Sequence, residues 1–316
     1  MKYLRTYPLG MQLLLFLLMA FTLLSAAIAV TSLAPKLADI PAVSLQDINE
    51  KSSQAVVRVA LLMQAIGSLM IFSLSSFLFA YLTHPSPKKY LGMQAPKKPI
   101  HLLLAVLVML GAMPAFMALQ SLMGLIDFGP EIKKQQAAAE AVFAAYLAMP
   151  TFADFIRTFI VVAMVPALGE ELFFRGVIMR FTHKSSRKMP IAIVFSAVMF
   201  AFVHASYTGL PSIFLAGVLL AVIYYLTGSL WCGIMAHMFF NGSQIILSYI
   251  GHSNPAVASV VNDTHIQWGL VAGGTALFAV SFYLLWKTKT PLPDNWSDDF
   301  DTPQNIQPDE DSTIFN

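Results

Sequence analysis

The chain has 316 residues, of which 57% are hydrophobic and only 11% are charged, and its mean hydropathy is +0.68. Soluble proteins carry charge on about a quarter of their residues, so this composition excludes a soluble globular protein and predicts a polytopic membrane protein. The net charge of +2 is too small to indicate a nucleic-acid partner. The single cysteine, Cys232, excludes an internal disulfide.

Apolar segments of about the length needed to cross a bilayer recur along the whole chain. The first one follows basic residues, as in a signal peptide, but its length favours a transmembrane helix over a cleaved leader. We therefore predict an all-α polytopic membrane protein with about eight transmembrane helices. Their predicted ranges are 10–33, 55–82, 100–126, 155–182, 190–208, 210–228, 231–250 and 267–286.

The distribution of Lys and Arg predicts the orientation, because loops rich in these residues stay in the cytoplasm. An eight-helix threading brings four basic groups to one side, namely Lys2 with Arg5, the loops 84–99 and 180–190, and Lys287 with Lys289. Both chain ends are therefore expected inside. The compact loops and the lack of an organelle-targeting segment favour a multi-pass protein of a bacterial inner membrane.

Four regions follow from these segments. Residues 1–150 hold the first transmembrane helices and, over 130–149, an outer or interfacial helix that begins at a proline. Residues 151–255 form a helical core, and residues 256–290 hold the last transmembrane helix. Residues 291–316 are rich in Pro and Asp and are predicted to form a disordered, acidic cytoplasmic tail.

Three polar motifs interrupt the apolar pattern of the core region. They are Glu170-Glu171-x-x-x-Arg175, Phe200-x-x-x-His204 and His237-x-x-x-Asn241. A charge at the bilayer centre costs about 2.5–3.5 kcal/mol, so these groups need a compensating role. Residues four apart share a helix face, so Glu171 and Arg175 are expected to pair. Glu170 then points elsewhere and is free to exchange protons.

The rise of an α-helix tests whether the motifs can meet. Glu170 lies twelve residues before Thr182, or about 18 Å from the basic loop at 1.5 Å per residue. His204 lies about 21 Å beyond Pro190 by the same rise, and Asn241 lies about 15 Å along its own segment. These depths predict one intramembrane site, reached from the half that carries the basic loops.

The residue types suit hydrolysis. Glu170 can take a proton from water, and His204 can share or orient that proton. His237 and Asn241 can donate hydrogen bonds to an oxyanion. Glu170, His204 and His237 also suit a divalent metal such as zinc, although the chain has no HExxH pair. The sequence leaves open whether Glu170 or a bound metal ion activates the water. A kink at Pro166 is expected to admit water.

In order and spacing, the three motifs resemble those of the CPBP family, which groups CAAX prenyl endopeptidases with bacteriocin-processing and lysostaphin-resistance proteins. The resemblance covers roughly residues 155–250. It implies an all-helical intramembrane protease with a cavity open to the cytoplasm. By position, it implies Glu170 as the base and His204 as its partner. It further implies His237 and Asn241 as oxyanion donors, with Glu171, Arg175 and Phe200 as supporting residues.

The expected substrate is a membrane-associated or lipid-modified peptide or protein, and the expected partners are that substrate and the lipid bilayer. Two other functions stay open at this point. One is a non-catalytic membrane scaffold or bacteriocin-immunity factor with the same fold. The other is a proton-coupled transporter, since Glu and His inside a membrane also mark proton paths. The chain shows no inverted repeat or paired broken helices, which disfavours the transporter.

Overall fold

The computed structural model describes residues 4–41, 47–261, 263 and 265–298, and all regular structure among them is helical. The helices in chain order are α1 (Leu9–Thr31), α2 (Gln54–Thr83), α3 (Ile100–Met123), α4 (Pro130–Leu147), α5 (Phe152–Ser186), α6 (Met189–Val203), α7 (Leu210–Thr227), α8 (Leu230–Gly251), α9 (Pro255–Val261) and α10 (Trp268–Thr288), with short turns at Leu4–Thr6, Ala34–Leu37 and Pro87–Tyr90.

Seven of the helices in the described residues are long and apolar enough to cross a membrane, and α6 is a shorter apolar helix. Together they confirm the predicted fold class of about eight helices. Helices suit a bilayer because every backbone polar group is satisfied within the segment. The helix predicted outside the membrane-spanning set is present as α4.

Helix α6 ends earlier than the sequence pattern indicates. It was expected to reach residue 208, but it ends at Val203 after 15 residues, a length of about 22 Å against about 30 Å for the hydrocarbon core. Ala205 then adopts a left-handed φ of 46°, a conformation that residues other than glycine rarely adopt. The turn after His204 therefore lies at membrane depth, where irregular backbone is tolerated only against protein or a cavity.

Helix α5 runs without a break through Pro166 but contains two π-helical segments, Phe159–Met164 and Leu172–Ile178. The first lies just before Pro166, which has no N–H to donate to the preceding turn. The second begins directly after Glu171. Widened turns of this kind are common at functional sites because they change the direction in which side chains point.

Close helix packing holds α5 in the bundle. A Cβ atom at Gly169 would lie 2.8 Å from Ser73 Oγ and 3.0 Å from Phe72 Cβ, so only glycine lets α5 and α2 approach this closely. On the other side of the bundle, α3 packs against α7, α8 and α10, and α7 packs against α6. The core helices α5 to α8 thus have fixed positions relative to one another.

The first part of the predicted disordered tail is ordered. The Arg180 guanidinium lies 4.6 Å from the Trp296 ring and 4.9 Å from the Tyr90 ring, and its Nη1 donates to Trp296 O at 2.7 Å. Leu292 N donates to Tyr225 O at 2.9 Å. The composition of the tail did not indicate this order, because composition averages over the whole segment. Arg180, Leu292 and Trp296 alone are enough to hold residues 291–298 in place. Residues 299–316 of that prediction lie outside the described residues.

Candidate active site

Glu171 and Arg175 form the ion pair that their spacing predicts. Arg175 Nη1 donates to Glu171 Oε1 at 2.6 Å, and both side chains are fully buried. Arg175 Nη2 also donates to the Gly217 carbonyl of α7 at 2.8 Å. The guanidinium lies 4.6 Å from the centre of the Phe200 ring on α6. One arginine thereby fixes α5 relative to both following helices.

Glu171 has a second partner that the sequence analysis missed. His237 Nδ1 lies 3.1 Å from Glu171 Oε1. Gly233, one turn earlier on α8, makes room for this contact, because a Cβ atom there would lie 3.0 Å from Glu171 Oε2. A glycine four residues before His237 was the available signal, but helix periodicity gives no information about contacts between distant helices.

Glu170 points away from this pair, as predicted, and lies between the two histidines. Its Oε2 is 3.7 Å from His204 Nε2 and 3.9 Å from His237 Nε2. Both separations exceed a hydrogen bond, which is about 2.7–3.2 Å long. Glu170 Oε2 is buried and has no hydrogen-bond partner within the described part of the chain. A buried polar atom in this state is costly and marks a place for water, a ligand or a reacting group.

The surroundings of each histidine ring determine which of its two nitrogens carries the proton. His204 Nδ1 lies 2.7 Å from the Phe200 carbonyl, and His237 Nδ1 lies beside the Glu171 carboxylate. Both neighbours accept hydrogen bonds, so each Nδ1 carries the proton in a neutral ring. Each Nε2 then presents a lone pair to Glu170. His237 therefore donates to an oxyanion through Nε2 only when that nitrogen is protonated.

A cavity of about 190 Å³ lies beside these groups. Its lining includes Phe200, His204, His237 and Asn241, which were predicted, and Gln120 and Gln244, which were not. Asn241 lies one turn beyond His237 on α8, so the structure brings all three motifs to one place. The predicted residues and the two additional amides form a polar patch in an otherwise apolar bundle.

The position of this cavity corrects one expectation. Helices α3 and α8 begin at the end that carries the basic loops, and the lining residues Gln120 and Asn241 lie in their second halves. The cavity is therefore in the half of the bundle away from the basic loops, and not in the half from which the site was expected to be reached. The early end of α6 explains this, because its last turn exposes His204 there.

The predicted metal ligands do not fit a metal ion in this arrangement. Across residues 4–41, 47–261, 263 and 265–298, no three His, Cys, Asp or Glu side chains come close enough together to hold one. Glu170 Oε2 lies 3.7 Å from His204 Nε2 and 3.9 Å from His237 Nε2.

Comparison with known proteins agrees with the geometry. Residues 152–243 match the family model described as Type II CAAX prenyl endopeptidase Rce1-like, and this segment runs from the start of α5 into α8 and contains all three motifs. Searches of curated proteins and of solved structures found no match. The chain is thus a multi-pass helical membrane protein whose residues 152–243 are similar to the CAAX prenyl endopeptidase family.

Proposed function

We propose that this protein is an intramembrane endopeptidase that hydrolyses a peptide bond of a membrane-associated or lipid-modified polypeptide, with Glu170 activating the water. One observation carries the proposal: two histidine nitrogens converge on a buried oxygen of Glu170 that has no hydrogen-bond partner among the described residues, beside a cavity whose lining includes Asn241. Peptide hydrolysis needs such a proton acceptor within reach of a water and a carbonyl. The bacterial inner membrane remains the proposed location.

The proton transfers follow from the positions of the groups. Water enters past His204, whose side chain is 31% exposed while that of Glu170 is 11% exposed. Glu170 takes one proton as the water oxygen bonds to the substrate carbonyl carbon, and the His204 Nε2 lone pair accepts the second hydrogen as a hydrogen bond. When the C–N bond breaks, Glu170 returns its proton to the leaving nitrogen. The first products are a carboxylic acid and an amine, and transfer of the acid proton to the amine then gives a carboxylate and an ammonium group.

The oxyanion formed in this step needs donors on the cavity wall. The Asn241 side-chain amide provides a donor in any charge state. His237 adds a second donor when Nε2 is protonated, and the contact between His237 Nδ1 and Glu171 fixes the orientation of the ring. One oxyanion donor typically contributes about 10²–10³ in rate. Glu171 and Arg175 act here by positioning His237, not by contacting the substrate.

The test compares peptide termini in membranes of host cells that carry wild-type protein, chromosomal Glu170→Gln, or chromosomal Glu131→Gln as a matched control. Glu131 is an exposed carboxylate at the start of α4. Immunoblots establish equal amounts of the three proteins. New termini present with wild type and Glu131→Gln and absent with Glu170→Gln are expected. Identical termini in all three strains would support a non-catalytic scaffold instead.

A further inference from the structure

A second cavity, of about 260 Å³, lies at the end of the bundle away from the basic loops. Helix α4, the end of α3 and the turn after α6 enclose it. We call it the vestibule; its polar lining includes Gln120, Gln135, Gln136, Glu140, Tyr207 and Thr208. Gln120 and His204 line both the vestibule and the catalytic cavity. The two cavities therefore meet at the exposed edge of His204.

The opposite end of the bundle is closed by packing. Tyr90 and Leu91 are fully buried there, beneath the contact between Arg180 and Trp296 described above. Ser229 Oγ, in the turn between α7 and α8, donates to Gln94 O at 2.6 Å. A polypeptide entering from this end would have to displace these contacts. A route through the vestibule avoids these contacts.

The vestibule has the chemistry of a peptide-binding surface. Glutamine amides both donate and accept, as do the Tyr207 and Thr208 hydroxyls, and a peptide backbone offers the complementary groups. The only charged side chain in its lining is Glu140, which accepts a hydrogen bond from Gln136 Nε2 at 2.9 Å. No Lys or Arg occurs in this lining, within the residues that the structure describes. The surface thus favours neutral or basic segments over acidic ones.

The positive-inside rule assigns the basic end to the cytoplasm and the vestibule to the outer face. Resting on the proposed hydrolytic function, we infer that the substrate is a membrane-anchored polypeptide whose neutral or basic segment enters from the extracytoplasmic side. The anchored part stays in the bilayer while the adjoining extended segment passes through the vestibule. It then reaches Glu170 past Gln120 and His204. This substrate class differs from one presented on the cytoplasmic face.

Single-cysteine labelling tests this route, because Cys232 is the only cysteine of the chain. In a Cys232→Ala background, Gln135→Cys places a thiol in the vestibule, Lys134→Cys places one beside it but outside the lining, and Lys97→Cys places one at the basic end. A membrane-impermeant maleimide is applied to intact spheroplasts and to inverted vesicles. Labelling of the first two thiols only in spheroplasts, and of the third only in vesicles, is expected. The reverse pattern would overturn the inference.

The second readout is cleavage of the substrate found from the host termini, before and after labelling of each variant. Labelled Gln135→Cys is expected to lose cleavage, whereas labelled Lys134→Cys and Lys97→Cys keep it. Unchanged cleavage by labelled Gln135→Cys would overturn the route while leaving the hydrolytic function intact. Failure of that function is a separate result, because it appears as unchanged termini in the Glu170→Gln strain, in which no thiol is labelled.

Discussion

The two ends of the helical bundle differ in how tightly their polar side chains are packed. At the basic end, Arg180 is buried against two aromatic rings and a carbonyl, and Trp296 holds the chain end in place. At the vestibule end, a short helix exposes His204, and Glu170 Oε2 has no hydrogen-bond partner within the described part of the chain. Dense packing makes the first end a structural closure, while the exposed edge of His204 leaves the second end open to water.

The same contrast separates the two adjacent glutamates. Glu171 is fully buried and contacts Arg175 on its own helix and His237 on α8, so its charge holds α5 and α8 together. Glu170 Oε2 lies near the two Nε2 lone pairs and has no hydrogen-bond partner among the described residues. Adjacent positions on one helix thus carry a positioning role and a proposed catalytic role. Substitutions at these and neighbouring positions separate the two roles.

Glu170→Gln is expected to have the largest effect, because it removes the proton acceptor and keeps the size of the side chain. The loss of a general base lowers rates by about 10²–10⁴-fold. The rate is measured with purified protein in liposomes, on the substrate identified from the host termini. Glu131→Gln serves as the control and is expected to keep the wild-type rate. Full activity of Glu170→Gln would refute the assigned role.

Arg175→Met is expected to act mainly on stability, because it leaves Glu171 charged, buried and without its cation. Breaking a buried ion pair on one side costs about 3–5 kcal/mol. The free energy of unfolding is measured by denaturant titration in detergent micelles. The control is Arg58→Met, since Arg58 is 48% exposed and its partner Asp154 also contacts Arg157. Equal losses for the two variants would show that burial does not distinguish these pairs.

Asn241→Ala is expected to lower kcat with little change in KM, because its amide is proposed to bind the oxyanion and not the ground-state substrate. The expected loss is about 10²–10³-fold. Steady-state kinetics with the reconstituted protein separate the two constants. A rise in KM at constant kcat would place Asn241 in substrate binding instead.

Gly169→Ala is expected to cost about 1–3 kcal/mol of stability by overpacking α5 against α2. Gly273→Ala is the matched control, since a Cβ atom at Gly273 in α10 meets nothing within 4 Å. Denaturant titration of both variants gives the difference directly. Two equal midpoints would contradict the close approach at Gly169.

Chelation of divalent metals is expected to have the smallest effect. In the proposed step Glu170 itself takes the proton from water, and no group of three metal-holding side chains occurs among the described residues, so purified protein dialysed against 1,10-phenanthroline should keep its rate. If activity is lost and zinc restores it, the water is activated by a metal ion, which is the alternative that the sequence left open.

Local patterns predicted the parts of this molecule that depend on neighbouring residues. Hydropathy predicted the helices, and the four-residue spacing predicted the contact between Glu171 and Arg175. Both features depend only on residues within a single helix. The contact between Glu171 and His237 depends on Gly233 and on how α5 and α8 pack, so spacing within a helix does not contain it. The ordered start of the tail and the early end of α6 depend on tertiary contacts in the same way.

The most direct test of the central claim is a single turnover of the purified enzyme in oxygen-18 water. If Glu170 activates a water that attacks the peptide carbonyl, each new carboxyl terminus carries one oxygen-18 atom after the first turnover, as read by mass spectrometry of the product. Glu170→Gln should give almost no product in the same time. An unlabelled first-turnover product from the wild-type enzyme would contradict the account, because the oxygen would then have come from the protein.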